Sequence, residues 1–372
     1  MHKKTVVIVA NTTWNIYNFR LNLIRKLLNE NNTVFVVAPV DEYIEYKEKF
    51  PSVTHIPLKN LDRGTKKPFK DLRLIFELKK IYKKLKPDIV IHYTHKPNIF
   101  GGIAAKLLGL KSVAVVTGLG YAFINKGWLN SFTKKMYFLV KTFHDKTIFE
   151  NEDDLSFFIK EGLIVEEKGA SIKGCGVDSD VYLPFPNGHK KEKTTFTFIG
   201  RLLYDKGIVE FIEAAKKIRS KYSNVEFWVL GELDQDNPSM LKRDKLLEWI
   251  EEGIIVYHGF QNDVRPFIAK SDCIVLPSYR EGLPRIILEG MSMAKPVITT
   301  NTAGCRETVI DGENGFLVNV KDANDLSLKM ESFVNTSYEK RHDMGQSGRA
   351  LVLKHFNSEK ISDDLYNILA QV

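Results

Sequence analysis

Arg201, Lys206, Glu281 and Glu289 fall in two short segments whose spacing suits a polyanion with hydroxyl groups beside it. In Phe198-Ile199-Gly200-Arg201-Leu202-Leu203-Tyr204-Asp205-Lys206-Gly207 an apolar, strand-like run ends at Gly200, where the backbone is free to turn sharply. Arg201 and Lys206 follow, just before a helical pattern. Arg offers a planar fork of donors and Lys a point charge, so both can point at one pair of phosphates. Cations so placed stabilise charge that grows on a leaving group. The second segment, Ser278 to Gly290, reads SYREGLPRIILEG. A strand ends at Pro277 and a turn brings Glu281 to its carboxyl end. Pro284 is expected at the first helical position, where its missing N–H costs nothing. The free N–H groups of that first turn suit a diphosphate. Glu289, about one and a half turns along the helix, can reach a group bound beside the helix start, such as a ribose diol. Two carboxylates would repel a polyanion, so they are expected to accept hydrogen bonds from sugar hydroxyls. The same spacing also reads as a helix with a surface Glu and an acidic residue favoured at its start by the dipole.

These segments need strands to deliver them and helices to follow. Strands are expected at Thr5–Ala10, Thr33–Ala38, Asp88–His92, Ser112–Val116 and Lys146–Phe149. Helices are expected between them at Phe19–Leu28, Leu72–Leu85, Asn98–Leu108, Trp128–Phe143 and Asp153–Lys160. The same alternation restarts at Thr195–Ile199 and runs through strands Val225–Leu230, Ile254–Tyr257, Cys273–Leu276 and Pro296–Thr299. The helices of that half are Ile208–Ile218, Met240–Glu251, Val264–Lys270 and Pro284–Met293. Strands alternating with helices argue for α/β domains with parallel sheets covered on both faces. Tyr182–Lys193, with Pro184, Pro186, Asn187 and Gly188, reads as a linker. The expected domains are residues 1–183 and 194–350, with 351–372 adding a helix, Ser358–Leu369, that returns to the first. Two such domains place a cleft at the carboxyl ends of their sheets, where ligands bind in open α/β folds.

Composition removes several classes. The chain of 372 residues is 44% hydrophobic and 27% charged, which is globular rather than disordered or fibrous. No apolar run reaches the roughly 18 residues of a membrane span. The basic start followed by Thr5 to Ala10 is too short for a secretion signal and reads as a buried strand. Cys175, Cys273 and Cys305 are widely separated. They offer no metal spacing and no even disulfide set, which favours a reducing, cytoplasmic setting. Residues 1–186 hold 29 Lys and Arg against 19 Asp and Glu, and residues 187–372 hold 25 against 27. The excess lies in Pro51–Lys146, a balance of +14. Such a patch attracts nucleic acid, anionic lipid or phosphorylated substrates, or else forms solvated helix faces.

In the order in which they stand, these motifs resemble those of the family 4 retaining glycosyltransferases, which have the GT-B fold of two doubly wound Rossmann-like domains. The marks are GRLLYDKG, the Glu281/Glu289 pair within EGLPRIILEG, and Lys173-Gly174-Cys175-Gly176-Val177-Asp178 before the linker. Leu230-Gly231-Glu232, His258-Gly259-Phe260, Ala303-Gly304-Cys305-Arg306-Glu307 and Asp311-Gly312-Glu313-Asn314-Gly315 complete them. The resemblance implies that Glu281 contacts a donor sugar, Glu289 the ribose, and Arg201 with Lys206 the diphosphate. Gly200, Gly231, Gly282 and Leu283 join the expected donor site. It implies no protein nucleophile, no cofactor and no metal, the cations and helix start standing in for a divalent ion.

Ile16-Tyr17-Asn18-Phe19-Arg20, Thr94-His95-Lys96-Pro97-Asn98 and Thr117-Gly118-Leu119-Gly120-Tyr121-Ala122-Phe123 look like a bacterial subgroup. Its members extend glycans on undecaprenyl diphosphate, commonly from UDP-N-acetylhexosamines. That implies a UDP-sugar donor and a polyprenyl-diphosphate-linked saccharide acceptor. Asn15, His95, Lys96, Gly118 and Gly120 are the acceptor or cleft candidates. Many family members carry a His in the loop after Val116, where this chain has Thr117-Gly118; His95 is a possible substitute, and His95 with Lys96 also read as caps of the helix at Asn98. Trp128, Phe132, Met136, Leu139 and Phe143 share a helical stripe that reads as core. Tyr137 and Phe138 lie off it among lysines, which suits an interfacial helix on an anionic membrane surface. No nucleic-acid module is present, so nucleic acid is not an expected partner. The expected place is the cytoplasm, peripheral on the inner face of the membrane. The rival readings are a nucleotide-sugar 2-epimerase on the same fold and a nucleotide-sugar-binding protein without turnover.

Overall fold

The structure is a computed structural model. It describes residues 3–61, 68–124, 127–185, 193–235 and 237–372, without the side chains of 68–70. The chain divides into two compact units. Unit 1 ends at Cys175 and regains Ser358–Val372; unit 2 is Gly176–Asn357.

Unit 1 is built on seven parallel strands: β1 Thr5–Val9, β2 Thr33–Ala38, β3 Thr54–Pro57, β4 Ile89–Tyr93, β5 Ser112–Val116, β6 Lys146–Phe149 and β7 Gly169–Ser171. Their order is β3-β2-β1-β4-β5-β6-β7. Every residue of β4 and β5 is buried, as runs of Val and Ile must be in a sheet covered on both faces. Alternate residues feed two cores. Val6 and Ile8 pack with Leu23, Ile24, Leu27, Ile361, Leu365 and Leu369. Val7 and Val9 pack with Leu74, Leu78, Tyr82, Tyr137 and Phe158. The terminal helix Ser358–Ala370 thus completes unit 1.

Unit 2 repeats the plan with β8 Thr194–Ile199, β9 Val225–Leu230, β10 Val256–Gly259, β11 Cys273–Leu276, β12 Val297–Thr300 and β13 Gly315–Val318. Their order is β10-β9-β8-β11-β12-β13, again parallel. Residues 186–192 of the expected linker lie outside the described residues. Tyr182 belongs to unit 2, where its carbonyl accepts from Ser292 Oγ at 2.8 Å, so the division falls at Cys175 rather than near 183.

Three local expectations change. The helix expected at Phe19–Leu28 is two, Thr13–Phe19 and Leu21–Asn29, meeting at Arg20. The helix at Asn98 opens as a π turn, Pro97–Gly101, and continues as Gly102–Lys106. There the backbone lies against two buried imidazoles: a Cβ on Gly101 would stand 2.2 Å from the His92 ring, and one on Gly102 2.5 Å from His144. On helix Trp128–Val140 and just beyond it the expected stripe is split, Met136 and Phe143 packing partly buried against the core while its other three members turn outward. Trp128 is 65% exposed, Phe132 46% and Leu139 62%, while Thr133, Tyr137 and Val140 are buried. The buried face wins because the Tyr137 hydroxyl has a partner inside, His95 Nδ1 at 2.8 Å, and a buried tyrosine needs one.

Candidate active site

In unit 2 both charged segments leave the carboxyl ends of adjacent strands, since β8 pairs with β11 through Phe196–Cys273 and Thr197–Ile274. The backbone ties them together. Tyr279 N–H donates to Asp205 O at 2.9 Å, and Ser278 Oγ–H to the same oxygen at 3.1 Å. Glu281 N–H donates to Ala303 O at 3.2 Å, and Thr302 Oγ1 to Tyr279 O at 3.1 Å. Gly200 N–H donates to Leu230 O and Gly231 N–H to Gly259 O, fixing the neighbouring turns. Two glycines permit this packing. Gly207 has φ +75, and a Cβ there would lie 2.0 Å from Pro277 O. Gly304 has φ +76, and its Cβ would lie 2.4 Å from Gly282 O and 2.5 Å from Glu281 O. In both places only glycine fits the left-handed backbone and the close approach.

The side chains gather as charge pairs. Lys206 Nζ donates to Glu281 Oε1 at 2.5 Å, joining the two segments directly. Arg201 Nη1 donates to Asp234 Oδ2 at 2.6 Å, and the arginine side chain is 44% exposed. Arg285 Nε donates to Glu289 Oε1 at 2.7 Å. Glu289 is buried rather than on the surface, and burial pushes its carboxyl up against the opposing pull of Arg285 and Tyr182. Pro284 is extended, with ψ 98, and caps the helix Arg285–Ser292 instead of occupying its first position. Its carbonyl takes the N–H groups of Ile287 and Leu288. Gly282 and Leu283 form the turn between Glu281 and that cap. Asp234 is the charged neighbour that sequence reasoning missed; its pairing spans a whole helix, Ile208–Lys221, and a strand, Val225–Leu230, which spacing does not reveal.

In unit 1 the candidates sit beyond β1, β4 and β5. Asn15 is buried in helix Thr13–Phe19, and its Oδ1 accepts from Arg20 Nε at 3.4 Å. Arg20 itself pairs with Glu150 at 3.6 Å and lies 3.9 Å over the Tyr93 ring. His95 has both ring nitrogens engaged, Nδ1 with Tyr137 Oη and Nε2 with Leu119 O at 3.1 Å. Its burial pulls the imidazole pKa down, which keeps it neutral. Lys96 pairs with Asp71 at 2.8 Å. Lys96 precedes the π turn without a side-chain cap. Gly118 and Gly120 take positive φ in the loop after β5. Among the described residues no group of three or more His, Cys, Asp or Glu could hold a metal ion. Also among them, no helix is long and apolar enough to cross a membrane.

Comparison with known proteins covers both units. Residues 183–351 match the family described as glycosyl transferases group 1, and residues 5–151 that described as glycosyl transferase 4-like. The N,N'-diacetylbacillosaminyl-diphospho-undecaprenol alpha-1,3-N-acetylgalactosaminyltransferase of Campylobacter jejuni is 31% identical over 331 residues, 85% of each chain. The UDP-Gal:alpha-D-GlcNAc-diphosphoundecaprenol alpha-1,3-galactosyltransferase of Escherichia coli is 31% identical over 325 residues, 80% of this chain and 79% of that one. Among solved structures, a Rickettsia africae glycosyltransferase aligns with TM-score 0.80 at 21% identity, over 99% of this chain and 98% of the other. Anabaena HepE, in complex with UDP and glucose, aligns with TM-score 0.81 at 16% identity, over 99% and 100%. At those identities the structures speak for the fold.

Proposed function

Because this chain belongs to the group 1 glycosyl transferases and is a glycosyltransferase of GT-B fold, we propose that it moves a hexose or N-acetylhexosamine from a UDP-sugar to a polyprenyl-diphosphate-linked saccharide, with retention of configuration. The observation that carries the reading is the joining of GRLLYDKG to EGLP through Lys206 and Glu281 at the carboxyl edge of unit 2. In this reading Arg201 and Lys206 take the charge that grows on the leaving diphosphate. Lys206 then exchanges its carboxylate partner for a phosphate oxygen, which frees Glu281 to accept from donor-sugar hydroxyls. Glu289, held by Arg285, accepts from the ribose. The acceptor hydroxyl attacks the anomeric carbon on the face that the diphosphate leaves, and a departing phosphate oxygen takes its proton. Since the cations supply the charge stabilisation, turnover is expected to persist in EDTA.

The acceptor's lipid calls for a surface to meet it. Trp128, Phe132, Phe138 and Leu139 are all exposed on one helix of unit 1. Exposed Lys135 stands beside them and Lys141 lies 4.0 Å over the Phe138 ring. Aromatic side chains among lysines on one helix suit the headgroup layer of an anionic membrane. The Campylobacter and E. coli relatives, whose names specify undecaprenyl-diphosphate-linked acceptors, support this reading.

The test is product analysis. Purified protein is incubated with a panel of UDP-hexoses and UDP-N-acetylhexosamines, with and without a short-chain polyprenyl-diphosphate-linked sugar. Mass spectrometry should show one added sugar only when the acceptor is present. An epimerised sugar nucleotide formed without acceptor would identify a 2-epimerase, and binding without any product a non-catalytic protein; either result overturns the proposal.

A further inference from the structure

We propose that Asn11 and Thr94 form a subsite in unit 1 for neighbouring hydroxyl groups of the acceptor sugar; this rests on the acceptor being a saccharide. β1 and β4 run in parallel register from Val6–Ile89 to Val9–His92. Two residues further, just past the carboxyl ends of these neighbouring strands, come Asn11 and Thr94. In the order β3-β2-β1-β4-β5 the connections lead to opposite sides from this pair of strands. That is the switch point outside which open α/β sheets bind ligands.

Both side chains are poised for a partner that the described residues do not supply. Among the described residues, Asn11 Oδ1 and Thr94 Oγ1 are buried atoms without a hydrogen-bond partner, a condition that folding alone disfavours. Thr94 moreover has φ +73. A β-branched residue is costly there, and such strain collects at ligand sites. The charged groups nearby are already committed, Arg20 to Glu150 and Lys96 to Asp71. His95 has both nitrogens engaged. The two orphaned groups therefore suit an uncharged ligand. Asn11 Oδ1 only accepts, and the Thr94 hydroxyl donates or accepts. One sugar hydroxyl can donate to Asn11 while its neighbour accepts from Thr94.

Thr94→Gly makes the test sharp, because glycine adopts this backbone without strain. Its Tm should equal or exceed that of the wild type. The KM for farnesyl-diphosphate-linked N-acetylglucosamine should rise roughly three- to tenfold, the worth of one net hydrogen bond, with kcat and calorimetric UDP affinity unchanged. Asn11→Ala should raise the same KM alone. If no lipid-linked sugar is elongated by the wild type, the functional reading fails and takes this subsite with it. If the wild type is active and both variants keep its acceptor KM, or lose UDP affinity in step with it, the subsite is wrong and the functional reading stands. A lowered Tm in Thr94→Gly with unchanged KM would make Thr94 structural and also overturn the inference.

Discussion

Gly304→Ala tests whether the site depends on backbone packing that no side chain announces. At φ +76 an alanine bears the left-handed penalty of about 1–2 kcal/mol. Its Cβ would stand 2.4 Å from Gly282 O and 2.5 Å from Glu281 O, where ordinary contact begins near 3.4 Å. The turn that carries Glu281 must therefore retreat by about 1 Å. It cannot do so freely, because Glu281 N–H is bonded to Ala303 O, next to the substituted residue. With overpacking the total strain is on the order of 2–5 kcal/mol, enough to lower the Tm of unit 2. A misplacement of about 1 Å at reacting groups costs on the order of 10²-fold in rate. The control is Gly253→Ala, at φ +64 with none of the described residues within 4 Å of the added carbon. It carries the backbone penalty without touching the site. Steady-state kcat, UDP affinity and thermal unfolding of both variants decide the matter. A kcat for Gly304→Ala equal to that of Gly253→Ala would refute the claim that this turn sets the position of Glu281.

Three further outcomes are expected. Glu289→Gln should mainly weaken UDP binding, because the ribose is held alike in ground and transition states, whereas Glu281→Gln should lower kcat more than UDP affinity; calorimetry beside kinetics separates them, and equal losses of UDP affinity contradict the division. Trp128→Ser with Phe132→Ser should reduce co-sedimentation with anionic vesicles and leave rates on a soluble short-chain acceptor intact, while unaltered vesicle binding would make that face ordinary solvated surface. Burial lowers the His144 pKa from 6.5 to about 4, so the folded state keeps it neutral while the unfolded chain takes up a proton. Its stabilisation is complete above pH 6.5 and is lost as pH falls toward 4; by pH 5 the loss is about 2 kcal/mol. Denaturant midpoints should fall accordingly, and His144→Gln should show a shallower acid slope.

What was legible in the sequence follows from locality. The buried runs SVAVV and CIVL identify β5 and β11, because no other element accommodates short, continuous Val and Ile segments so well. Strand β11, paired with β8, in turn places Arg201, Lys206 and Glu281 at one sheet edge. Strands β3 and β7, reading THIP and GAS, lack that signal and exist through pairing with β2 and β6. Helix Trp128–Val140 carries two overlapping apolar faces, and only a partner distant in sequence, His95, decides that Tyr137 is the buried aromatic. Arg20 stood in a recognised motif, but its ion pair with Glu150 joins two loops far apart in the chain. The strain at Thr94 is a backbone property, and residue type gives no hint of it.

Unit 1 is discontinuous in the chain, and this sets a timetable for its birth on the ribosome. Gly176–Asn357 is a single stretch, so unit 2 has all its strands once Asn357 has left the exit tunnel. The first 175 residues emerge earlier, yet one face of their sheet waits for Ile361, Leu365 and Leu369. During translation of the whole of unit 2, Leu23, Ile24 and Leu27 lack the helix that covers them in the finished protein. Exposed apolar surface of that kind invites chaperones and aggregation. A stop codon in place of Ser358 would leave unit 2 whole and unit 1 permanently unfinished. The unit that is synthesised first is the last to be completed.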